Sequence, residues 1–528
     1  MLLLPLLLFH DATTAAIDAH LIKSLPGLPT PLSTRMYSGY ISVPFVNGTV
    51  HTHYWLVLNS AENASAPTVV WHQGGPGGSS LIGLFTENGP LTLNDYSTKT
   101  SAYASTGVPT VFLNEDSWHT VPANMLYVEH PAPTGFSYCE PVGSCHWNDT
   151  YQSVVNYEFY VAFFKAYPEL ATNQFVMSGE SYAGVLVPTV ASQILDQRTE
   201  ANKHVAPWSL EGWAIGNACP GNRVLTCTPY SGWIGTQVAL DFRFGHGMIS
   251  EALYAEINVE CAGQWGTYAA PSKACADLLE DPVRPCKSKA GDTYQMGGGY
   301  FLYDTCGDDL MSLSDEQRVA FGETDGNGTT TTTTHIAPPR TIKDAAHLDE
   351  LLARSARRGG AAAATCGANS GEYMCGQEAA TQFYLNLEAV RSAIHVQTKA
   401  ESGREFHFST GLNYTFTDYS LLELYRTKLI PHYRIMQYSG DADPCVPYVG
   451  TQRWIASLNM TPVKGMGWRP WNSDEARDAY VSGYTQTLGD NNFTFTTIRD
   501  AGHMSPRYKP KETLHMMRQW IKNERIDA

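Results

Sequence analysis

Residues 37–60 alternate polar and apolar positions on either side of Asn47 and Gly48, the pattern of a β-hairpin with one buried face. Apolar runs too short for helices recur beyond it, at Pro67–Trp71, Asn124–Glu129, Phe175–Met177 and Trp213–Asn217, and again before Gly440 and Asp500. An apolar, helix-like segment follows Gly184. Strands alternating with helices in this way predict an α/β fold with a mostly parallel central sheet and helices on both faces. From about Cys219 to Gly371 the rhythm breaks into cysteine-bearing helical and irregular segments, which read as an inserted cap. Inside it, 322–364 holds six consecutive threonines (Thr329–Thr334), the pair Pro338–Pro339 and the run Ala361–Ala364, a composition that builds no core. An amphipathic helix ending in Arg357 and Arg358 is expected between them. The expected organisation is a core in two parts, 37–218 and 372–528, around an insertion at 219–371, with no internal repeat.

The junctions of this pattern carry the candidate chemistry. QFVMSGESYAG (Gln174–Gly184) is a strand, a tight turn and a helix start. Such a turn holds a serine hydroxyl clear of the sheet at a helix N-terminus, and small neighbours leave room for substrate, which nominates Ser181 as nucleophile. The usual pattern is GxSxG, and Ala183 before Gly184 makes this a variant. YRIMQYSGDADPCVP (Tyr433–Pro447) ends a strand at Gly440 and offers two acids, Asp441 and Asp443. Gly440 lies three residues before Asp443, a spacing hydrolases of this kind share, whereas the Gly-Asp pair marks Asp441 as a turn residue. Asp443 is the preferred acid. FTFTTIRDAGHMS (Phe493–Ser505) delivers His503 behind Gly502. The order Ser, Asp, His along the chain is that of α/β-hydrolases rather than of chymotrypsin or subtilisin. The backbone amides of Tyr182 and of Gly75, in the turn GGPGG, are the candidate oxyanion donors. His51 and His53 share a strand, but no third ligand at suitable spacing follows, so no metal is expected.

WHQGGPGGSS (Trp71–Ser80), GESYAG and GHMSP together resemble the serine carboxypeptidase family, the group of carboxypeptidase Y and lysosomal cathepsin A, over about Tyr37 to the C-terminus. The resemblance implies an α/β-hydrolase fold, no cofactor, and peptide or protein C-termini as substrates. It further implies a receptor for the substrate's free carboxylate at Trp71, Gln73, Gly74, Glu87 and Glu180. Two of these are carboxyls held close, which cannot both ionise cheaply, so at mildly acidic pH one keeps a proton and donates it to the substrate. Gln73 stands where the family has asparagine, a longer arm with the same amide. Glu87 read on its own, ahead of Asn88-Gly89-Pro90, is an exposed turn acid. Gly78 replaces a family cysteine that pairs with a cap cysteine, which here resembles Cys306; Cys286 is a replacement partner. Pro133 replaces a family glycine. Some relatives are cut in the insertion, and Arg358 is a candidate cut site. Two other readings stay open: an acyltransferase or esterase of the same family, against which Glu180 argues, and a catalytically weak binding or protective protein.

Composition narrows the setting. In 528 residues the net charge is −16, which argues against nucleic acid as a partner, and charged residues make up only 16%. The opening MLLLPLLLF is too short to span a bilayer and is followed by small residues, so 1–20 reads as a signal peptide without the usual basic start, and no stable membrane insertion is expected. Seven sequons, at Asn47, Asn63, Asn148, Asn327, Asn413, Asn459 and Asn492, fit the secretory route, with a vacuolar or lysosomal compartment or secretion as the destination. Eleven cysteines suit disulfides, with Cys139 near Cys145, Cys219 near Cys227, Cys261 near Cys275 and Cys366 near Cys375. An odd count leaves one thiol over, and Cys445 is the leading choice. Oligomeric state is left open, a homodimer included.

Overall fold

The structure, a computed structural model, describes residues 19–527 apart from 32–33, 47, 62, 122, 198–207, 222–231, 266–270, 284–285, 288–292, 295–299, 304–374, 417–419, 474–479 and 492. Its centre is a sheet of 11 strands. In chain order these are β1 (Met36–Phe45), β2 (Gly48–Val57), β3 (Thr68–His72), β4 (Asn124–Val128), β5 (Tyr138–Glu140), β6 (Phe175–Glu180), β7 (Leu210–Gly216), β8 (Arg434–Gly440), β9 (Arg469–Trp471), β10 (Gly483–Leu488) and β11 (Phe493–Ile498). Across the sheet the order is β1-β2-β4-β3-β6-β7-β8-β11-β10-β9, with β5 paired to β2. The six strands from β4 to β11 in that order are mutually parallel. Both flanks are antiparallel.

Alternate residues of the parallel strands feed two separate cores. Val70, Met177, Trp213 and Ile435 enter one, with helices α1 (Asp149–Ala166) and α2 (Ala183–Gln197). Val69, Trp71, Val176, Ala214 and Met436 enter the other, under α6 (Gln377–Leu385) and α7 (Pro510–Ile521). All five residues of β3 are buried, which is why these strands read as continuous apolar runs rather than alternating ones. The β1–β2 hairpin pairs Phe45 with Gly48, at the expected tip. What the pattern did not announce is the antiparallel flank β10–β9 beyond β11. Pro470 and Gly483 interrupt that stretch, and β9 is only three residues long.

Three further helices, α3 (Gly232–Gly245), α4 (Glu251–Glu260) and α5 (Lys273–Val283), pack around an apolar cluster of their own that includes Ile257, Cys261, Cys275 and Leu279. They lie in the segment read as the insertion. The low-complexity stretch 322–364, the expected amphipathic helix, Arg358, Asn47, Asn327 and Asn492 fall outside the described residues, as does most of the leader 1–20. Cys139–Cys145 and Cys261–Cys275 are disulfides. Cys219 and Cys375 are also disulfide-bonded; Cys227 and Cys366, their suggested partners, lie outside the described residues, as does Cys306. Cys445 keeps its thiol. Among the described residues no helix is long and apolar enough to cross a membrane.

Candidate active site

The carboxyl ends of β3, β6, β7, β8 and β11 lie side by side, and the residues that follow them form the site. Ser181 follows β6 with φ 60°, a left-handed conformation that costs a non-glycine residue about 1–3 kcal/mol. Three backbone hydrogen bonds hold it there: Ser181 N–H donates to Gly216 O (2.9 Å), and Ser181 O accepts from the amides of Gly184 (2.9 Å) and Cys219 (3.0 Å). The residue is part exposed, and Tyr182 and α2 continue from it.

Asp443 lies just beyond β8 and is wholly buried. Its Oδ2 accepts from His503 Nδ1 at 2.7 Å, from Asn217 Nδ2 at 2.8 Å and from the Val446 amide at 3.1 Å, and its Oδ1 accepts from the Cys445 amide at 2.7 Å. Asp441 instead accepts from the Asp500 amide at 2.8 Å, tying the turns after β8 and β11 together. Burial pushes its carboxyl up to about 6. The imidazole of His503 lies 4.9 Å from the ring of Tyr300, and the His503 amide donates to Tyr300 O. Asn217 had no place in the sequence reading. It stands at φ 43° after β7, donates to Asp443, and accepts at Oδ1 from the Gly440 amide (3.1 Å) and Ser505 Oγ (3.3 Å). One side chain thus braces the acid loop and the histidine loop; its only signal in the sequence is its position after a strand.

The turn after β3 approaches the nucleophile closely. A Cβ on Gly74 would lie 2.5 Å from Ser181 Cβ and 2.8 Å from the Tyr182 amide nitrogen, so only glycine fits. Gly75 has φ +115°, a conformation that again requires glycine. These contacts press the turn against Ser181 and the Tyr182 amide.

Against this turn lies a buried polar chain. Trp71 Nε1 is a donor only and meets Gln73 Oε1 at 2.8 Å, which fixes the Gln73 amide so that Nε2 faces Glu180 Oε1 at 2.5 Å. Glu180 ends β6 beside Ser181, and Glu87 ends a one-turn π-helix, Gly83–Glu87. All four side chains are buried, so Glu87 is no exposed turn acid. Since Glu180 Oε1 accepts from Gln73, a proton on Glu180 belongs on Oε2. Neither Oε2 nor either oxygen of Glu87 has a well-formed hydrogen bond, although the two carboxyls interact. A proton shared between them satisfies both. Burial raises Glu87 to about 7, and burial followed by repulsion from Glu87 raises Glu180 well above the usual carboxylate range.

The two histidines of β2, two residues apart on one face of the strand, have different partners. His51 stacks on Tyr138 at 4.4 Å, whereas His53 is buried with Nδ1 2.8 Å from Glu129 Oε2. Of the described sequon asparagines, Asn63, Asn413 and Asn459 are exposed, and Asn148 is half-buried where its side chain caps α1.

With this geometry in hand, comparison with known proteins is informative. Serine carboxypeptidase-like 21 of Arabidopsis thaliana is 28% identical, the match covering 97% of this chain and 96% of that protein. The lysosomal protective protein of Mus musculus is also 28% identical, over 99% and 98%. Among solved structures, a prohormone-processing carboxypeptidase from Saccharomyces cerevisiae superposes with a TM-score of 0.63 at 17% identity, covering 96% of both chains, and shares the α/β-hydrolase fold. The family model for serine carboxypeptidases matches residues 26–523, and the chain belongs to the serine carboxypeptidase family.

Proposed function

We propose that the protein is a serine carboxypeptidase that releases C-terminal amino acids from peptides at mildly acidic pH through an acyl-enzyme. Ser181 attacks the scissile carbonyl while His503 takes its proton, and Asp443 holds the imidazole in the tautomer that makes this possible. The amides of Gly75 and Tyr182 receive the oxyanion. His503 then protonates the leaving amine, and water releases the acyl group by the same steps in reverse.

The observation that carries the exopeptidase part is the buried chain Trp71–Gln73–Glu180–Glu87 beside the nucleophile. A hydrolase of esters alone has no use for two carboxyls held out of water. A protonated pair offers a donor to a substrate carboxylate, helped by the second hydrogen on Gln73 Nε2. Each ionisation of the pair adds repulsion against that carboxylate. Peptide release is therefore full while both acids are protonated and declines as pH rises through about 7, where Glu87, lifted by burial, gives up the first proton and the pair turns negative. Acidic compartments of the secretory route, lysosomal, vacuolar or extracellular, suit such a profile, and the disulfides and exposed sequons fit that route.

The test is release of the C-terminal residue from an N-blocked dipeptide at about pH 5 and about pH 7.5, with Ser181→Ala beside the native chain. Acid-favoured release that vanishes in the variant is expected. Hydrolysis of blocked esters with no release from free-carboxylate peptides at either pH would refute the receptor and leave acyl transfer or ester hydrolysis as the reaction.

A further inference from the structure

The turn proposed to supply an oxyanion amide is tied to a buried acid that the reaction does not use. The segment Gln73–Ser80 holds no cysteine, so no disulfide fixes it to the rest of the fold. Gly78 N–H donates to Gly74 O at 3.0 Å, which closes residues 74–78 into one unit. The two ends of that unit meet: the Gln73 amide donates to Ser80 Oγ at 3.1 Å, and the Ser80 hydroxyl donates to Val128 O at 2.6 Å. A closed turn tied at one point to the end of β4 can still tilt about it. Ser79 is the second tie, its Oγ donating to Glu129 Oε1 and accepting from the Leu81 amide at 3.2 Å. Backbone bonds to 408–410 add support, Ser79 N–H to Phe408 O (2.8 Å) and Thr410 N–H to Gly77 O (3.1 Å).

Glu129 directly follows β4 and is wholly buried. Its Oε2 lies 2.8 Å from His53 Nδ1 and accepts from the Phe136 amide at 2.9 Å. A Cβ on Gly135 would collide with the carboxylate, so the chain closes tightly over it. Beyond, His53 Nε2 lies 2.9 Å from Ser38 Oγ, and Ser38 donates to Ile394 O at 2.7 Å. Ser38, His53 and Glu129 thus repeat the atom order of a catalytic triad. They form no second active centre, because all three are fully buried and Ser38 spends its one hydrogen on Ile394 O. The array instead clamps one oxygen of Glu129 and leaves the other for Ser79.

We propose that Ser79 and Glu129 are positioning residues of the oxyanion turn. Glu129, clamped by His53 and Phe136, fixes Ser79 and with it the tilt of the turn, so that Gly75 N–H meets the oxyanion formed at Ser181. The inference rests on the reading above that Gly75 and Tyr182 supply the oxyanion donors. A carboxylate suits the task because it accepts on both oxygens, from the supporting loop on one side and from the turn on the other. Glutamine cannot do both. Its single oxygen is needed opposite the Phe136 N–H, so Glu129→Gln turns an N–H towards Ser79 in place of an acceptor.

The experiment measures kcat/KM at about pH 5 on an N-blocked amino-acid ester for the native chain, Ser79→Ala, Glu129→Gln and the double variant. Rates are taken per active site, counted by fluorophosphonate labelling of Ser181 run to completion, so loss of folded protein does not register. Ki is measured for an N-blocked amino aldehyde, whose hemiacetal with Ser181 puts an oxygen at the oxyanion site, and for the N-blocked amino acid, which forms no such adduct. Each single variant should lose about tenfold in kcat/KM and weaken the aldehyde by a similar factor, short of the loss expected when a donor is removed outright, with the Ki of the amino acid unchanged. The double variant should lose no more than Ser79→Ala, since Glu129 acts through that hydroxyl. Native rates per site in either single variant, an amino-acid Ki that rises with the aldehyde Ki, or losses that multiply in the double variant would overturn the proposal. Glu129→Gln keeps size and shape and carries the test if Ser79→Ala yields no labelled sites. A native chain without ester hydrolysis, or with hydrolysis that survives Ser181→Ala, would instead overturn the triad reading, and this inference with it.

Discussion

Replacing Glu87 with glutamine should make the protein's stability less dependent on pH. Glu87 is 4% exposed, and burial raises its carboxyl from 4.5 to about 7. A raised acid binds its proton more tightly in the folded chain than in the unfolded one. Stability is then greatest below about 4.5, where both states are protonated, falls as pH rises towards 7, and levels off above. A shift from 4.5 to about 7 corresponds to about 3 kcal/mol, at 1.36 kcal/mol per unit. For 528 residues the entropy of unfolding is near 1 kcal/mol per degree, so the loss appears as about 3 °C in thermal midpoint. Glutamine keeps the shape without the titration. It also relieves Glu180 of its main charged neighbour, so that residue's own high value comes down. Asp441, raised to about 6, titrates in the same window but equally in both proteins, so it cancels in the difference. The assay is thermal unfolding by circular dichroism at pH 5, 6, 7 and 8, with the midpoint difference between variant and native plotted against pH. The variant should gain about 2 °C relative to the native chain between pH 5 and pH 7, and more by pH 8. A flat difference, or one that falls, would show that Glu87 is not a buried neutral acid at pH 5.

Two predictions concern the triad. Asp443→Asn should lower kcat on peptide and ester alike by about four orders of magnitude, because asparagine presents the wrong partner to His503 Nδ1, while Asp441→Asn should stay within a few-fold of native; equal losses would reverse the assignment. Gly74→Ala should cost about 10²–10³ in kcat on both substrates, since the new methyl falls 2.5 Å from Ser181 Cβ and 2.8 Å from the Tyr182 nitrogen, and undiminished turnover would mean that this turn does not form the oxyanion site.

How much of this was legible in the sequence follows from how local each signal is. The strands buried on both faces announced themselves as apolar runs, and the hairpin through its alternation around Gly48. Gly74 and Gly75 were visible because close approach and a left-handed turn leave glycine as the only choice. The disulfides Cys139–Cys145 and Cys261–Cys275 span 6 and 14 residues, short enough to guess from proximity. Asp443 was preferred to Asp441 by a spacing, and Asp443 is the one of the two whose carboxylate accepts from His503. The signals that were missed are long-range. Glu87 was reachable only through the family resemblance, because the residues around it read as a turn and its burial comes from distant segments such as Ser505–Tyr508 packing on Gly83–Glu87. Asn217 carries no motif, and its role appears only when three strand ends are brought side by side. The β10–β9 flank failed for a different reason, because an edge strand of three residues holding a proline carries too little pattern to register.

The two costs in this site are met by different parts of the fold. The strained backbone at Ser181 is held by Gly216 and Cys219, at and beyond the end of β7, and by the first turn of α2. The desolvated acids are held by Trp71 and Gln73 from β3 and the turn after it, and by the Gly83–Glu87 turn that carries Glu87. Glu180 is where the two meet, being the last residue of β6 and the neighbour of Ser181. On the proposed function, changes at Gln73 or Glu87 should alter which substrates are held more than the geometry at Ser181, whereas a change at Glu180 should disturb both. The longer arm of Gln73 still bridges Trp71 and Glu180.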